Sequence, residues 1–177
     1  PALEEIVSQA KKRWELIDGQ AYNMTPAPSF RHQRHAGAIF NILTTKLSGK
    51  PCIAGIAPTD IVLSKYDVVQ PDVFVVCDKK KITDANIQGA PDLVIEILSP
   101  STAPKDKREK RALYEKYGVK EYILVDPLEN YAERFFLDGG RFSGPEVFGP
   151  DEEIPLKSLA GINIPLTEVF EIEKSDS

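Results

Sequence analysis

Two carboxylates stand inside a segment that otherwise has the composition of a buried β-strand. The stretch "PDLVIEIL" (91–98) carries Asp92 and Glu96 among branched apolar residues. Carboxylates are almost never fully buried unless they are paired or bound to something. Side chains alternate along a strand, so Asp92 and Glu96 point to the same face. The pattern therefore predicts either a solvated strand end or a cation bound to it.

A second acidic strand precedes this one, because Asp72 in "VQPDVFVV" also follows a proline and lies among β-branched residues. Carboxylates that converge on one sheet edge form an oxygen-rich site suited to Mg²⁺ or Mn²⁺, and without a cation they repel one another. We predict Asp72, Glu96 and Asp92 as metal ligands. Salt bridges at a solvated sheet end are the alternative for Asp72 and Glu96. For Asp92, an Asx-type cap of the turn after Pro91 is an equally good alternative.

The helix predicted after the second acidic strand supplies a lysine. Asp106, Lys110 and Tyr114 are spaced i, i+4, i+8 and share one helix face. A metal, a lysine and clustered acids are the parts needed for phosphodiester hydrolysis: the metal activates water and neutralises charge, and the lysine orients water or stabilises the phosphorus centre. The alternative for Asp106 and Lys110 is an ordinary surface ion pair.

The elements that position these residues form an α/β pattern within 177 residues, a normal length for one domain. We predict a single domain over 1–171 and a frayed tail over 172–177. The predicted elements are an amphipathic helix at 2–12, a hairpin about Asp18-Gly19, a helix at 30–48, strands between 51 and 77, a strand at 91–98, a helix at 101–117, a strand at 121–126 and C-terminal hairpins. The strand, helix and strand from 91 to 126 predict a right-handed parallel βαβ unit. The complete order of elements predicts an α/β fold with a central mixed β-sheet flanked by helices.

Composition narrows the class of protein. The 22 basic and 27 acidic residues give a formal charge of −5, which argues against a protein that coats nucleic acid non-specifically. No apolar run is long enough to span a membrane, and the N-terminal stretch is too charged for a signal peptide, so we predict a cytoplasmic protein. Cys52 and Cys77 are isolated in sequence, which favours free buried thiols over a disulfide. His32 and His35 are the only histidines, so a histidine-rich metal centre is excluded.

The sequence resembles the Uma family of the restriction-endonuclease-like superfamily, which is marked by the PD-(D/E)xK pattern. The resemblance runs through "WELIDGQAYNM", "PAPSFRHQRHAG", "IAPTDIVLSKYDVVQPDVFVV", "GAPDLVIEILSPST", "KDKREKRALYEKYGVKEYILVDP" and "PLKSLAGINIPLTEVF". It implies a restriction-endonuclease-like core and an endonuclease that uses Mg²⁺ or Mn²⁺ to hydrolyse DNA.

The resemblance also implies roles for individual residues. Asp72 matches the first acid of the pattern and Glu96 the second, and both would hold the metal. The lysine of the pattern should stand two residues after Glu96, where this chain has Leu98. In families of this type the lysine can come from the following helix, where Lys110 stands, with Lys107 a weaker substitute.

Two further positions match the N-terminal part of the family. Glu15 matches an acidic residue at the front of the domain and would complete the catalytic site, although a charged residue on a hairpin needs no special explanation. His32 matches an early histidine, for which a structural role is the stronger interpretation. His35 falls where an apolar residue is expected, and we assign it no role.

Three functional classes remain open from the sequence. The first is a Mg²⁺-dependent nuclease acting on DNA, for which a homodimer would provide two sites for two strands. The second is a nucleic-acid- or protein-binding domain that has the fold without catalysis, favoured by Leu98 and the acidic net charge. The third is hydrolysis of a glycoside by a carboxylate pair, which needs no metal.

Overall fold

The computed structural model describes residues 13–24 and 27–171. Its strands are β1 (Trp14–Ile17), β2 (Gln20–Asn23), β3 (Ile53–Ile56), β4 (Ile61–Ser64), β5 (Asp67–Val69), β6 (Val73–Val76), β7 (Ile87–Gln88), β8 (Leu93–Ile97), β9 (Glu121–Asp126), β10 (Tyr131–Asp138), β11 (Arg141–Phe148), β12 (Glu153–Pro155) and β13 (Asn163–Pro165). Its α-helices are α1 (Phe30–Lys46), α2 (Ala103–Lys105), α3 (Arg111–Lys116) and α4 (Leu166–Val169). A 3₁₀ turn spans Lys79–Lys81, and a π-helical turn, Asp106–Lys110, joins α2 to α3. The helix predicted at 2–12 and the tail at 172–177 lie outside the described residues.

The predicted mixed α/β architecture is confirmed. Six strands form the larger sheet in the order β11-β10-β9-β8-β6-β3, and five form a second sheet in the order β2-β1-β5-β4-β7. In the larger sheet only β8 and β9 pair in parallel, and the other neighbours are antiparallel. Strands β12 and β13 form a separate antiparallel pair. No helix in the described part of the chain has the length and apolar character needed to cross a bilayer.

Strand β8 is buried along its whole length, which explains its nearly continuous apolar sequence. Leu93, Ile95 and Ile97 belong to the apolar cluster that includes the buried side of α1. Val94 belongs to the other cluster, on the opposite face of the sheet, together with Leu113 of α3. The parallel pairing of β8 with β9 across the intervening helical segment confirms the predicted βαβ-type unit.

The predicted hairpin at the front of the domain is also confirmed. Asp18 and Gly19 both have positive φ, 51° and 73°, the geometry that a two-residue type I′ turn requires. The turn pairs β1 with β2 so that Glu15 stands opposite Tyr22. Strand β1 also pairs with β5, which connects the hairpin to the rest of the second sheet.

The prediction of free thiols is wrong, because Cys52 and Cys77 form a disulfide with their Cα atoms 4.0 Å apart. Strands β3 and β6 are antiparallel neighbours in which Ile53 opposes Val76. Extending that register by one residue places Cys52 opposite Cys77. The two cysteines are isolated in sequence, and strand pairing brings them together.

Removing this disulfide is expected to lower the stability of the domain. The crosslink closes a loop with a sequence separation of 25 residues, for which chain-entropy reasoning gives about 3.5 kcal/mol. We expect the Cys52→Ser/Cys77→Ser double variant to lose about that much free energy of unfolding in urea titrations. Dithiothreitol should destabilise the wild type equally and leave the double variant unchanged. Equal stability of oxidised wild type and double variant would contradict the prediction.

Candidate active site

Two predicted metal ligands lie opposite each other on neighbouring strands. In the antiparallel pair of β6 and β8, Val73 opposes Ile95, so the same register places Asp72 opposite Glu96. The Asp72 backbone N–H donates to Glu96 Oε2 at 3.2 Å. The Ile97 N–H donates to Asp72 Oδ2 at 2.8 Å. Because the two strands fix this arrangement, the carboxylates of Asp72 and Glu96 are held together at one end of the larger sheet.

Glu96 is a buried carboxyl group, and its side chain is only 4% exposed. Its Oε1 accepts hydrogen bonds from Lys110 Nζ at 2.8 Å and from the Tyr114 hydroxyl at 3.1 Å. Burial raises the pKa of Glu96 well above its usual value, and nearby Asp72 and Asp106 add to the rise, although Lys110 opposes it. Burial is the main cause of this rise, and a cation bound beside Glu96 would favour the ionised form instead.

Lys110 lies at the centre of the carboxylates. Its Nζ is 2.8 Å from Glu15 Oε1, 2.8 Å from Glu96 Oε1 and 3.7 Å from Asp106 Oδ1. Burial alone would lower the pKa of Lys110, but the surrounding carboxylates raise it well above its usual value, so the side chain remains an ammonium ion. Lys110 and Asp106 are both buried, which excludes the surface ion pair that the sequence left open.

The helix that carries Lys110 is wider at this point than an ordinary α-helix. Asp106–Lys110 forms a π-helical turn, a feature that is rare overall and frequent at functional sites. The Tyr122 hydroxyl donates to the carbonyl oxygen of Asp106 at 3.1 Å, which satisfies a backbone group beside the π turn. The predicted end of the helix is confirmed, with Gly118 at φ +79°.

Glu15 joins the site from the second sheet. Its Oε1 accepts from Lys110 Nζ and from the Gln70 backbone N–H at 2.9 Å, and its Oε2 accepts from Lys105 Nζ at 2.9 Å. Burial alone would raise the pKa of Glu15, but the two lysines outweigh it and the net shift is downward. Glu15 is therefore an ionised carboxylate that holds two lysine side chains.

His32 contacts the site, although the sequence favoured a structural role for it. It lies in the first turn of α1, where its backbone N–H donates to the N-cap hydroxyl of Ser29 at 3.1 Å. Its Nε2 is 3.2 Å from Asp72 Oδ2. Burial alone would lower the pKa of His32, but the contact with Asp72 produces a net rise. Residue spacing gives no sign of this contact, and only the family resemblance pointed to the position.

Asp92 is not brought together with Asp72 and Glu96. It lies four residues before Glu96, about 13 Å along an extended strand. Its Oδ2 accepts from the Cys77 backbone N–H at 2.7 Å and its Oδ1 accepts from Lys120 Nζ at 2.7 Å. Burial would raise the pKa of Asp92, but Lys120 and the Cys77 N–H lower it. The structure thus gathers Asp72, Glu96, Lys110 and Glu15 and leaves Asp92 at the other end of the strand.

A cleft of about 630 Å³ opens onto the site and is lined by His32, Asp72, Glu96, Lys105 and Lys110, among others. Among the described residues, no three or more Asp, Glu, His or Cys side chains form a complete metal-binding group. Mg²⁺ is commonly held by one or two protein carboxylates, with water and substrate phosphates as the other ligands. Asp72 and Glu96 fit that incomplete, open type of site.

Comparisons with known proteins bear on the family and the fold of the chain. A family model described as "Uma2: Putative restriction endonuclease" matches residues 2–167. The chain is 30% identical over 117 residues to the uncharacterized protein slr1290 of Synechocystis sp., covering 65% of this chain and 61% of that protein. It is 28% identical over 152 residues to the uncharacterized protein sll1609 of the same organism, covering 82% of this chain and 85% of that protein.

A solved structure shares the fold. It is described as a putative nuclease belonging to DUF820 from Anabaena variabilis. It superposes with a TM-score of 0.75 at 20% sequence identity and covers 97% of this chain and 98% of that chain. The predicted restriction-endonuclease-like core is confirmed by this likeness.

Proposed function

The chain belongs to the Uma2 "Putative restriction endonuclease" family, and from that premise we propose that it is a Mg²⁺-dependent endonuclease that hydrolyses phosphodiester bonds in DNA. The observation that carries the proposal is the opposed pair of Asp72 and Glu96 with the Lys110 ammonium at its edge, inside one cleft. Carboxylate oxygens, a lysine and room for a phosphate are the parts this reaction needs.

In the proposed site, Asp72 and Glu96 hold the divalent cation. When bound, the cation would supply an activated water and neutralise charge on the phosphate. Lys110 stays protonated because carboxylates surround it, so it acts as a fixed positive charge rather than as a base. It can donate to a phosphate oxygen or orient a water, while Glu15 holds its Nζ in place.

His32 has a positioning role in this proposal. Its Nε2 contacts the Asp72 oxygen that also accepts from the Ile97 N–H. These two contacts to Asp72 Oδ2 fix the plane of the carboxylate, so Oδ1 is the oxygen that would bind the cation. Partners of this kind around a metal-binding carboxylate orient it and tune its affinity.

Metal titration tests the proposal. We expect calorimetry to detect Mn²⁺ binding to the wild type and at least tenfold weaker binding to the Asp72→Asn/Glu96→Gln double variant, since the carboxylates supply the protein ligands. Asp92→Asn is the matched control, because it removes a carboxylate from the same strand region outside the cleft, and it should bind Mn²⁺ like the wild type. Unchanged affinity in the double variant would reject the site, and loss in the control would return Asp92 to the ligand set.

A binding domain without catalysis is the second candidate function. It is favoured by Leu98, which is buried in the apolar core at the position where the superfamily pattern has its lysine. A wild type that binds DNA in the presence of Mg²⁺ but leaves it uncut would support this candidate over the nuclease.

A further inference from the structure

A second lysine lies beside Lys110 and reaches the surface of the cleft. Lys105 Nζ contacts Glu15 Oε2 at 2.9 Å, whereas Lys110 Nζ contacts Glu15 Oε1 at 2.8 Å. The Lys105 side chain is 19% exposed and that of Lys110 only 3%. One buried carboxylate therefore carries an enclosed ammonium on one oxygen and an accessible ammonium on the other.

Lys105 is held in place on two sides. Its Nζ lies 5.6 Å from the centroid of the Tyr22 ring, in addition to its contact with Glu15. A side chain that is ordered before binding loses less conformational entropy when a ligand arrives. An ammonium group has three hydrogens, so the bond to Glu15 leaves donors for a further acceptor. Lys105 is thus a preorganised cation directed at the ligand cleft.

Basic side chains in the same cleft favour an anionic ligand at this position. Arg13, Lys105 and Arg108 line the cleft, together with the acidic residues Asp106 and Glu109. Arginine and lysine are the usual partners of nucleic-acid phosphates, which they bind through charge-assisted hydrogen bonds. These basic side chains offset the carboxylates of the same cleft, which would otherwise repel a phosphate.

We propose that Lys105 binds a DNA phosphate that flanks the scissile one, and that Glu15 is a positioning residue that sets the separation of Lys105 and Lys110. The inference rests on the proposed nuclease function. Glu15 and Lys105 are 90 residues apart in sequence, so the subsite exists only after the hairpin packs against the helical segment. The contact is to phosphate, so it contributes affinity without reading base sequence.

The salt dependence of DNA binding tests this subsite. Anisotropy titrations of labelled duplex DNA in EDTA, which prevents metal-dependent cleavage, would measure affinity between about 50 and 200 mM KCl. On duplex DNA each phosphate contact contributes about 0.9 to the slope of log K against log salt, so Lys105→Met should make the slope shallower by about that amount. Lys105→Arg, which keeps the charge, should retain the wild-type slope. Lys105→Gln removes the charge but can still donate to Glu15, so it repeats the test if the methionine variant is unstable.

Lys120→Met is the matched control. It removes one charge from a lysine that is also ion-paired, with Asp92 at 2.7 Å, but outside the cleft. We expect it to keep the wild-type slope. Wild-type slopes for both Lys105→Met and Lys105→Gln, or an equal loss in Lys120→Met, would overturn the inference and leave the proposed nuclease standing. Failure of the wild type to bind or cut any DNA, in EDTA and also with Mg²⁺ present, would overturn both.

Discussion

Glu96→Gln is expected to reduce DNA cleavage by at least about a thousandfold at saturating Mg²⁺. The substitution keeps the size of the side chain and its acceptor for Lys110 and Tyr114 but removes the charge that would hold the cation. One of the two proposed protein ligands is lost, and only Asp72 remains. The measurement is the single-turnover rate of cleavage of a labelled plasmid or duplex, with enzyme in excess.

The Glu96→Gln protein should remain folded. Burial raises the pKa of Glu96, so in the absence of a cation ionisation of this group opposes folding as the pH rises above the usual glutamate value of about 4.3. The neutral amide removes that opposition, and the free energy of unfolding at pH 8 should equal or exceed that of the wild type. Asp92→Asn is again the control and should cut at the wild-type rate. Full activity of Glu96→Gln in the same assay would place cleavage elsewhere on the molecule.

Local patterns were enough to predict most of the elements that build the site. The Asp18-Gly19 pair predicted the front hairpin because both positions need positive φ, which these residues tolerate. The apolar run of 91–98 predicted a strand covered on both faces. Asp72 and Glu96 were predicted to lie together because each is a carboxylate in an apolar strand segment and the two strands were expected to meet at one sheet edge. Strand register does place them opposite each other.

The sequence did not reveal the partners of Asp92 and the two cysteines, because these partners depend on strand order. Alternation predicted Asp92 and Glu96 on one face, but alternation does not determine which neighbouring strand lies beside each end. Asp92 meets the Cys77 N–H and Lys120, and only Glu96 meets the acidic end of β6. The disulfide was missed for the same reason. The sequence of each cysteine-containing segment does not show that the two strands are neighbours in the sheet.

The remaining site residues are joined by tertiary packing over long distances in sequence. Glu15 reaches the lysines only because β1 packs beside the helical segment, and His32 reaches Asp72 only because α1 begins at the cleft. Helical spacing placed Asp106 and Lys110 on one face but could not reveal the π turn. A solvated face would make Asp106 and Lys110 a surface ion pair, whereas a buried face makes them part of the candidate site. Helical spacing cannot distinguish these cases, because burial of the face depends on packing against Glu96 and Glu15.

Lys110→Met is expected to lower the free energy of unfolding by about 3–5 kcal/mol at pH 8 without divalent cations, because it leaves buried carboxylates without their shared ammonium. Glu15 Oε1 and Glu96 Oε1 both lose a contact of 2.8 Å. Methionine retains an apolar chain of similar length, so the lost charge rather than a cavity dominates. Urea titration is the measurement. The control is Lys116→Met on the same helical segment, whose side chain is 59% exposed and 3.8 Å from Asp67, and it should cost less than about 1 kcal/mol.

The loss in Lys110→Met should depend on pH in a defined direction. The pKa of Lys110 is raised in the folded protein, so its stabilising contribution is fully present below the usual lysine value of about 10.4 and disappears only as the pH rises through the higher folded value. The wild type thus keeps this contribution throughout pH 5–8. In the variant, Lys110 no longer lowers the pKa of Glu15, so the buried carboxyl groups can take up protons at pH 5. At pH 8 they must ionise while buried, which lowers the free energy of unfolding. The difference between wild type and variant should therefore grow from pH 5 to pH 8, and a difference that is independent of pH would mean that the buried carboxyl groups take up no proton when Lys110 is removed.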